Sequence, residues 1–321
     1  MHGFAQGAVV GAFATLTWIL PGSGTAPSAR IQTGPATAKD PAPILAAARQ
    51  ALGGDAKLSA IKSFTVTGRT RQVRGENLVP IEFEILVELP DKYLRKDEIP
   101  AQETGPNASG FNGDDLLQDP APAAPSMPPP AAPPAAPAGA AVPPGRGPMG
   151  TRNPSAARVL TLKQDFTRLM LGMFAASFSA YPLTFTYVGE AEAPQGKADV
   201  LDAKGPNNFT LRLFISRDTH LPLMVSWQGS AAPGRGRPPG APAPVGDRGT
   251  PPPAGERGMA PPAPQAPPEN RLYFADYRDV NGVQFPFRLR RAVGADTTEE
   301  TTFDRFKLNA KIDPKRFEVR K

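Results

Sequence analysis

The stretch YFADYRDVNGVQFPFR, Tyr273 to Arg288, packs acids, bases, aromatics and glycine into one short run of a 321-residue chain. Its fragment DVNG suggests a calcium loop. Such a loop needs oxygen ligands at its first, third and fifth positions, a glycine at the sixth and a glutamate near the twelfth. Aligned on Gly282, Asp279 and Asn281 fall on ligand positions, but Tyr277 stands first and Arg288 last. Neither supplies a carboxylate, so the calcium reading fails. A hairpin accounts for the residues better. Asn281-Gly282 suits a two-residue type I′ turn, where both central residues need positive φ. Pairing outward sets Val280 opposite Val283, Arg278 opposite Phe285, Asp276 opposite Phe287 and Phe274 opposite Leu289. One face is then apolar, with Asp276 and Arg278 embedded in it. The other carries Tyr273 and Tyr277 beside Pro286, Arg288 and Arg290, a half-wet surface suited to cation–π contacts. Asp276 and Arg278, two apart, share a face and can pair. They are either a structural ion pair near a sheet edge or a polar anchor inside a cavity.

Other chemistry is sparse. The chain has 2 His and no Cys, which removes the ligands of a thiolate or histidine zinc site and the base of a Ser-His-Asp hydrolase. His2 falls in the N-terminal leader and His220 in the turn RDTHLP. Asp114 and Asp115 are adjacent, so a strand points them to opposite faces. Glu190 and Glu192 share a solvated face, and Glu299-Glu300 are expected on a polar edge strand. GRGPMG and PGRGRPPG lie in the Pro-rich inserts, and neither resembles a phosphate cradle. The reading is therefore non-enzymatic, with no catalytic residue, no metal and no cofactor. A net charge of +6 without a basic, aromatic-interleaved face gives no nucleic-acid partner.

The elements that position these residues are set by an uneven composition. Of the 41 Pro, 25 lie in two inserts, 119–150 and 230–268, with 11 of the 31 Gly. Both inserts lack any periodic apolar pattern and are expected to be disordered. The N-terminus carries an apolar run, Ala8 to Leu20, followed by small residues. Residues 1–29 are read as a cleaved export signal, because the run is short for a membrane span. Without a cysteine there is no lipid attachment, so the expected location is periplasmic or secreted. A flexible spacer, 30–42, leads to a single domain over 43–321.

Within that domain, PILAAARQALGG reads as a helix ended by Gly53-Gly54. PIEFEILVELP alternates, Ile81, Phe83, Ile85, Val87 and Leu89 on one face and glutamates on the other, as in an antiparallel sheet with one dry face. Pro154-Ser155 opens a long helix whose apolar stripe includes Phe166, Leu169, Met170, Met173 and Phe174, while Lys163, Asp165 and Arg168 stay off it. Further strands bring the total to about ten, an α+β arrangement.

The segments ILAAARQALGG…LSAIKSFTVTGR, SAYPLTFTYVGEAEAPQGKADVLDA, THLPLMVSW, YFADYRDVNGVQFP and KLNAKIDPKRFE resemble bacterial envelope proteins similar in pattern to the outer-membrane lipoprotein carrier (LolA/LolB-like) superfamily. The resemblance runs from about Pro43 to Phe317, outside both inserts. It implies an unclosed antiparallel β half-barrel whose concave apolar face is covered by helices. It further implies that this cavity takes a lipid, acyl chain or other hydrophobic small molecule. The residues expected to line it are Phe83, Ile85, Phe185, Leu213, Trp227, Phe274 and Phe285, with Asp276 and Arg278 as polar anchors, under a lid bearing Met173 and Phe174. The alternative is an envelope interaction module with a packed core. Its Pro/Arg-rich loops would then contact a protein or an anionic cell-wall partner, with peripheral contact to a membrane surface.

Overall fold

The computed structural model describes residues 30–32, 39–100, 105–120, 154–193, 196–229 and 267–318. The export signal and nearly all of both Pro-rich inserts lie outside the described residues. Arg30–Gln32, within the stretch expected as spacer, form a short strand β1, followed by helices α1 (Pro41–Ala51) and α2 (Asp55–Ala60). Strands β2 (Ser63–Arg74), β3 (Asn77–Glu88), β4 (Lys92–Glu98), β5 (Asn107–Asn112) and β6 (Asp115–Asp119) come next. The long helix α3 (Pro154–Phe174) then precedes β7 (Thr184–Ala193), β8 (Gly196–Gly205), β9 (Phe209–Ser216) and β10 (Pro222–Gln228). The chain ends with β11 (Glu269–Val280), β12 (Val283–Val293), β13 (Asp296–Leu308) and a 3-10 turn, Pro314–Phe317.

These make one 13-stranded antiparallel sheet, more strands than the ten expected, in the order β1-β7-β8-β9-β10-β11-β12-β13-β2-β3-β4-β5-β6. The two end strands do not pair, so the barrel stays open. Its middle seam joins the last strand to an early one: β13 runs against β2 from Glu299↔Gln72 to Leu308↔Phe64. The expectation of an edge strand at Glu299-Glu300 is therefore corrected. A period-2 pattern shows that a segment is a strand but not which distant strand it will meet.

Local chemistry explains the elements. Asp40 caps α1 by accepting from the Ala42 N–H at 2.9 Å, and Ile44, Leu45, Ala48 and Leu52 bury its inner face. Gly53 (φ 129°) ends it against the β11–β12 turn, where an added Cβ would stand 2.6 Å from the Gly282 carbonyl oxygen. The Gln284 N–H donates to the Leu52 carbonyl at 2.8 Å, so α1 and α2 close one end of the half-barrel. Helix α3 crosses the concave side from β5 and β6 to β10 and β12. Its second half, Phe166 to Phe174, is buried on every side. Among the described residues no helix is long and apolar enough to cross a membrane. Outside the sheet, Ile312 and Phe317 of the tail pack on Leu86, Leu94 and Leu117.

Candidate functional site

The Tyr273–Arg288 stretch is the hairpin expected. Its register runs Val280↔Val283, Arg278↔Phe285 and Phe274↔Leu289, and Asn281 and Gly282 have φ of 56° and 80°. Asp279 finishes the turn by accepting from the Gly282 N–H at 3.0 Å. The departure comes at Asp276, which adopts φ 56° and drops out of the ladder between Ala275↔Arg288 and Tyr277↔Pro286. Alternation breaks there, and Tyr277 corrects its half-wet expectation by turning inward. Its hydroxyl lies 2.9 Å from the carbonyl oxygens of both Gly172 and Pro222, which share its single O–H as acceptors. Burial pushes this phenol well above its ordinary range. Tyr273 remains outside under Arg290, 4.2 Å from guanidinium carbon to ring centre.

Asp276 and Arg278 do pair, Nη2 to Oδ2 at 2.5 Å and Nε to Oδ1 at 3.1 Å. The pair is exposed, however, with Arg278 lying over the Phe287 ring, and is not among the residues lining the cleft at the open rim. The other sequence-derived residues are mostly packed against one another. Phe174 meets Phe64, Phe178 and Phe285, and Phe285 stacks on Phe306 at 4.8 Å. Met173 and Leu213 are fully enclosed, Phe83 and Phe274 nearly so, and Phe185 packs half-buried on the same cluster. Of the set, Ile85, itself 2% exposed, borders the rim cleft, and Phe83 borders a second pocket.

The cleft, of about 380 Å³, lies at the rim opposite α1. Its floor is apolar: Ile81, Ile85, Leu162, Leu169, Leu272, Leu289, Tyr93 and Phe303. Its walls carry Thr70, Gln72 and Arg74 of β2, Arg95 and Asp97 of β4, Arg291 of β12, and Glu299 and Thr301 of β13, with Asp165 of α3. The inner face of β2 shows why. It runs Phe64, Val66, Gly68, Thr70, Gln72, Arg74, apolar at the closed end and polar at the rim.

The wall groups are partly bonded. Arg95 donates from Nε to Asp97 Oδ1 at 2.7 Å and from Nη2 to Thr70 Oγ1 at 3.3 Å, with its guanidinium 4.7 Å from the Phe83 ring centre. The buried hydroxyls of Thr70 and Thr301 are 2.9 Å apart. Tyr93 is pushed up to about 12, first by burial, against the opposing pull of Arg95. Asp165 accepts from Arg168 at 2.8 Å. Arg168, expected off the apolar stripe, is instead buried between the rings of Phe209 and Trp227, 5.1 and 4.3 Å from its guanidinium carbon. Flat stacking lets a charged side chain occupy an aromatic slot, which helical periodicity alone does not reveal. Trp227, half-buried, serves as one wall of that slot.

The fold is thus an unclosed antiparallel half-barrel with a helix through its interior and a cleft at its open rim. No family model matches the chain, and no curated protein matches it. Among solved structures it is similar to a LolA superfamily protein from Nitrosomonas europaea, at 12% identity and a TM-score of 0.47 over 88% of this chain and 98% of that one. It is also similar to a DUF1329 family protein from Desulfovibrio piger, at 9% identity and a TM-score of 0.42 over 87% and 98%. A third is a domain from Vibrio parahaemolyticus described as an outer membrane lipoprotein-sorting protein, at 8% identity and a TM-score of 0.43 over 85% and 95%.

Proposed function

We propose that this chain is an exported envelope protein that holds a lipid, acyl chain or other hydrophobic molecule in the rim cleft without catalysing its conversion. The cleft carries the reading. Ligand sites are concave and roughly 300–1,000 Å³, and the cleft lies at the small end of that range, with leucine and isoleucine at its floor and mainly polar side chains on its walls. At roughly 30 Å³ for a water-sized group, it accepts about a dozen non-hydrogen atoms. Each buried CH₂ contributes roughly 0.8 kcal/mol. The wall carboxylates have protein partners, Asp97 with Arg95 and Glu299 with Thr301, which suits binding better than acid–base chemistry. The test is to isolate the protein from an envelope fraction and identify co-purifying lipid by mass spectrometry. Displacement of phenylnaphthylamine from the wild type and from Leu289→Trp should accompany it. Recovered lipid and a tryptophan-blocked cleft are expected; no lipid and undiminished dye binding in the variant would sink the reading.

A second reading is favoured by the aromatic packing of Phe64, Phe174, Phe285 and Phe306, which fills the closed half of the concave face. On it the half-barrel is a scaffold for the Pro-rich inserts, and the partner is an envelope protein or cell-wall polymer. Deleting 121–150 and 231–264 discriminates. Ligand binding survives on the first reading, whereas partner recovery is lost on the second.

A further inference from the structure

The cleft has more hydrogen-bond donors on its walls than its own acceptors use. Arg291 is the clearest case. A guanidinium offers five N–H donors, yet among the described residues the side chain of Arg291 makes no hydrogen bond. Its nearest acid oxygen, Asp165 Oδ1, is 3.9 Å away, beyond hydrogen-bond reach. The same oxygen is already taken by Arg168 Nη1 at 2.8 Å. Arg168 is itself under-satisfied, its buried Nε having no partner. One carboxylate is therefore shared by two guanidiniums. Across the cleft, Arg95 spends Nε on Asp97 and Nη2 on Thr70, while Glu299 is occupied by the Thr301 hydroxyl. With Arg74 at the lip, the guanidiniums in and behind the walls outnumber the carboxylates Asp97, Asp165 and Glu299 by one. Arg291 and Arg95 line this cleft together with Tyr93, Asp97 and Asp165, so both guanidiniums border the space above the apolar floor.

We propose that the ligand is a single-chain amphiphile with an anionic head. The head accepts from Arg291 and Arg95, and the chain lies along Leu162, Leu169, Leu272 and Leu289. This rests on the carrier reading and narrows it from any hydrophobic molecule to an acidic one. Apolar burial of about ten carbons is largely offset by the cost of association. A charge-assisted, two-pronged contact to a guanidinium is the stronger kind of hydrogen bond, and here it costs no existing hydrogen bond of the Arg291 side chain among the described residues.

The test is isothermal titration of the full, delipidated chain with decanoate, decanol and decyltrimethylammonium, using the wild type, Arg291→Gln and Arg291→Lys. The Arg291 side chain is 33% exposed and makes no hydrogen bond among the described residues. Arg291→Gln gives up its 3.9 Å ion pair with Asp165 and its place 5.8 Å from the Trp227 ring centre, Arg291→Lys keeps the charge, and circular dichroism checks that both fold. Decanoate is expected to bind roughly ten- to a hundred-fold more tightly than decanol, with the cation weakest. Arg291→Gln should bring decanoate down to the level of decanol and leave decanol unchanged, while Arg291→Lys retains part of the preference. Equal binding of acid and alcohol by the wild type overturns the anionic class and leaves the carrier reading standing. A preference undiminished in Arg291→Gln overturns the assignment of the head to Arg291. Failure of all three probes to bind overturns the carrier reading itself.

Discussion

Gly172 of α3 and Phe274 of β11 are in such close contact that a Cβ added at Gly172 would lie 2.1 Å from Phe274 Cε1. The helix passes within touching distance of the sheet at this point, and the Gly172 carbonyl also accepts from Tyr277. Absence of a side chain at one residue is what lets α3 fill the half-barrel. Gly172→Ala gains about 1 kcal/mol of helix propensity but forces a buried aromatic ring to move, at ~1–3 kcal/mol or more. The variant is expected to unfold at lower urea. Phe274→Leu, destabilising alone, should recover part of the loss when combined with Gly172→Ala, because contacting residues are not additive. A Gly172→Ala protein as stable as the wild type would show that helix and sheet are not packed this tightly.

The buried phenol of Tyr93 makes stability depend on alkaline pH. Folding raises its pKa from 10.0 to about 12, chiefly by burial. The unfolded chain therefore loses the proton first, and above about pH 10 it binds fewer protons than the folded one. Its contribution is whole below that pH and is lost progressively as pH approaches 12, at up to ~1.4 kcal/mol per pH unit. Tyr277, also raised by burial, acts in the same direction. Urea midpoints measured across this window should fall less steeply for Tyr93→Phe than for the wild type. Parallel slopes would contradict the assignment.

What could be read in the sequence, and what could not, divides along local and non-local lines. The hairpin register from Val280↔Val283 to Phe274↔Leu289 followed from Asn281-Gly282 alone, because a two-residue turn fixes every pair outward. The dry face of β3 followed from alternation. Asp276 defeated the same logic, since a left-handed residue inside a strand breaks its alternation, and Tyr277 beside it turned inward. The seam between β13 and β2 is non-local and leaves no periodic trace. The cleft was hidden for a related reason. Period-2 reading assigns polar residues to water and apolar ones to the core, yet Thr70, Gln72 and Arg74 continue the same face as Phe64 and Val66. The signal was a polar turn in a strand's inner series, visible once the inner face is known.

The Asp276–Arg278 pair is expected to matter little. Exposed ion pairs are worth roughly 0–1 kcal/mol, and Asp276 sits at φ 56°, where glycine is unstrained. Asp276→Gly should therefore stay within ~0.5 kcal/mol of the wild type. Arg278→Ala should leave decanoate binding unchanged, because the pair lies outside the cleft. A loss of binding in either variant would return the pair to the functional site.

Arg168 offers the sharpest test of what holds the region behind the cleft. Its guanidinium lies between Phe209 and Trp227 and bonds Asp165 at 2.8 Å. Burial lowers its pKa, opposed by the neighbouring Asp165. Arg168→Lys keeps the charge, but a compact ammonium cannot lie flat against both rings and still fork to the carboxylate. It also keeps a cation where desolvation is costly. A loss of ~1–2 kcal/mol is expected. Arg168→Met keeps the apolar stem between the rings and removes the buried charge. The Asp165 carboxylate it strands is 44% exposed and can turn to water, so little is left uncompensated. The methionine variant should thus match or exceed the lysine variant in urea midpoint, inverting the order that charge conservation alone would give. A lysine variant clearly more stable than the methionine one would mean that charge, rather than the flat stacked shape, secures α3 behind the cleft.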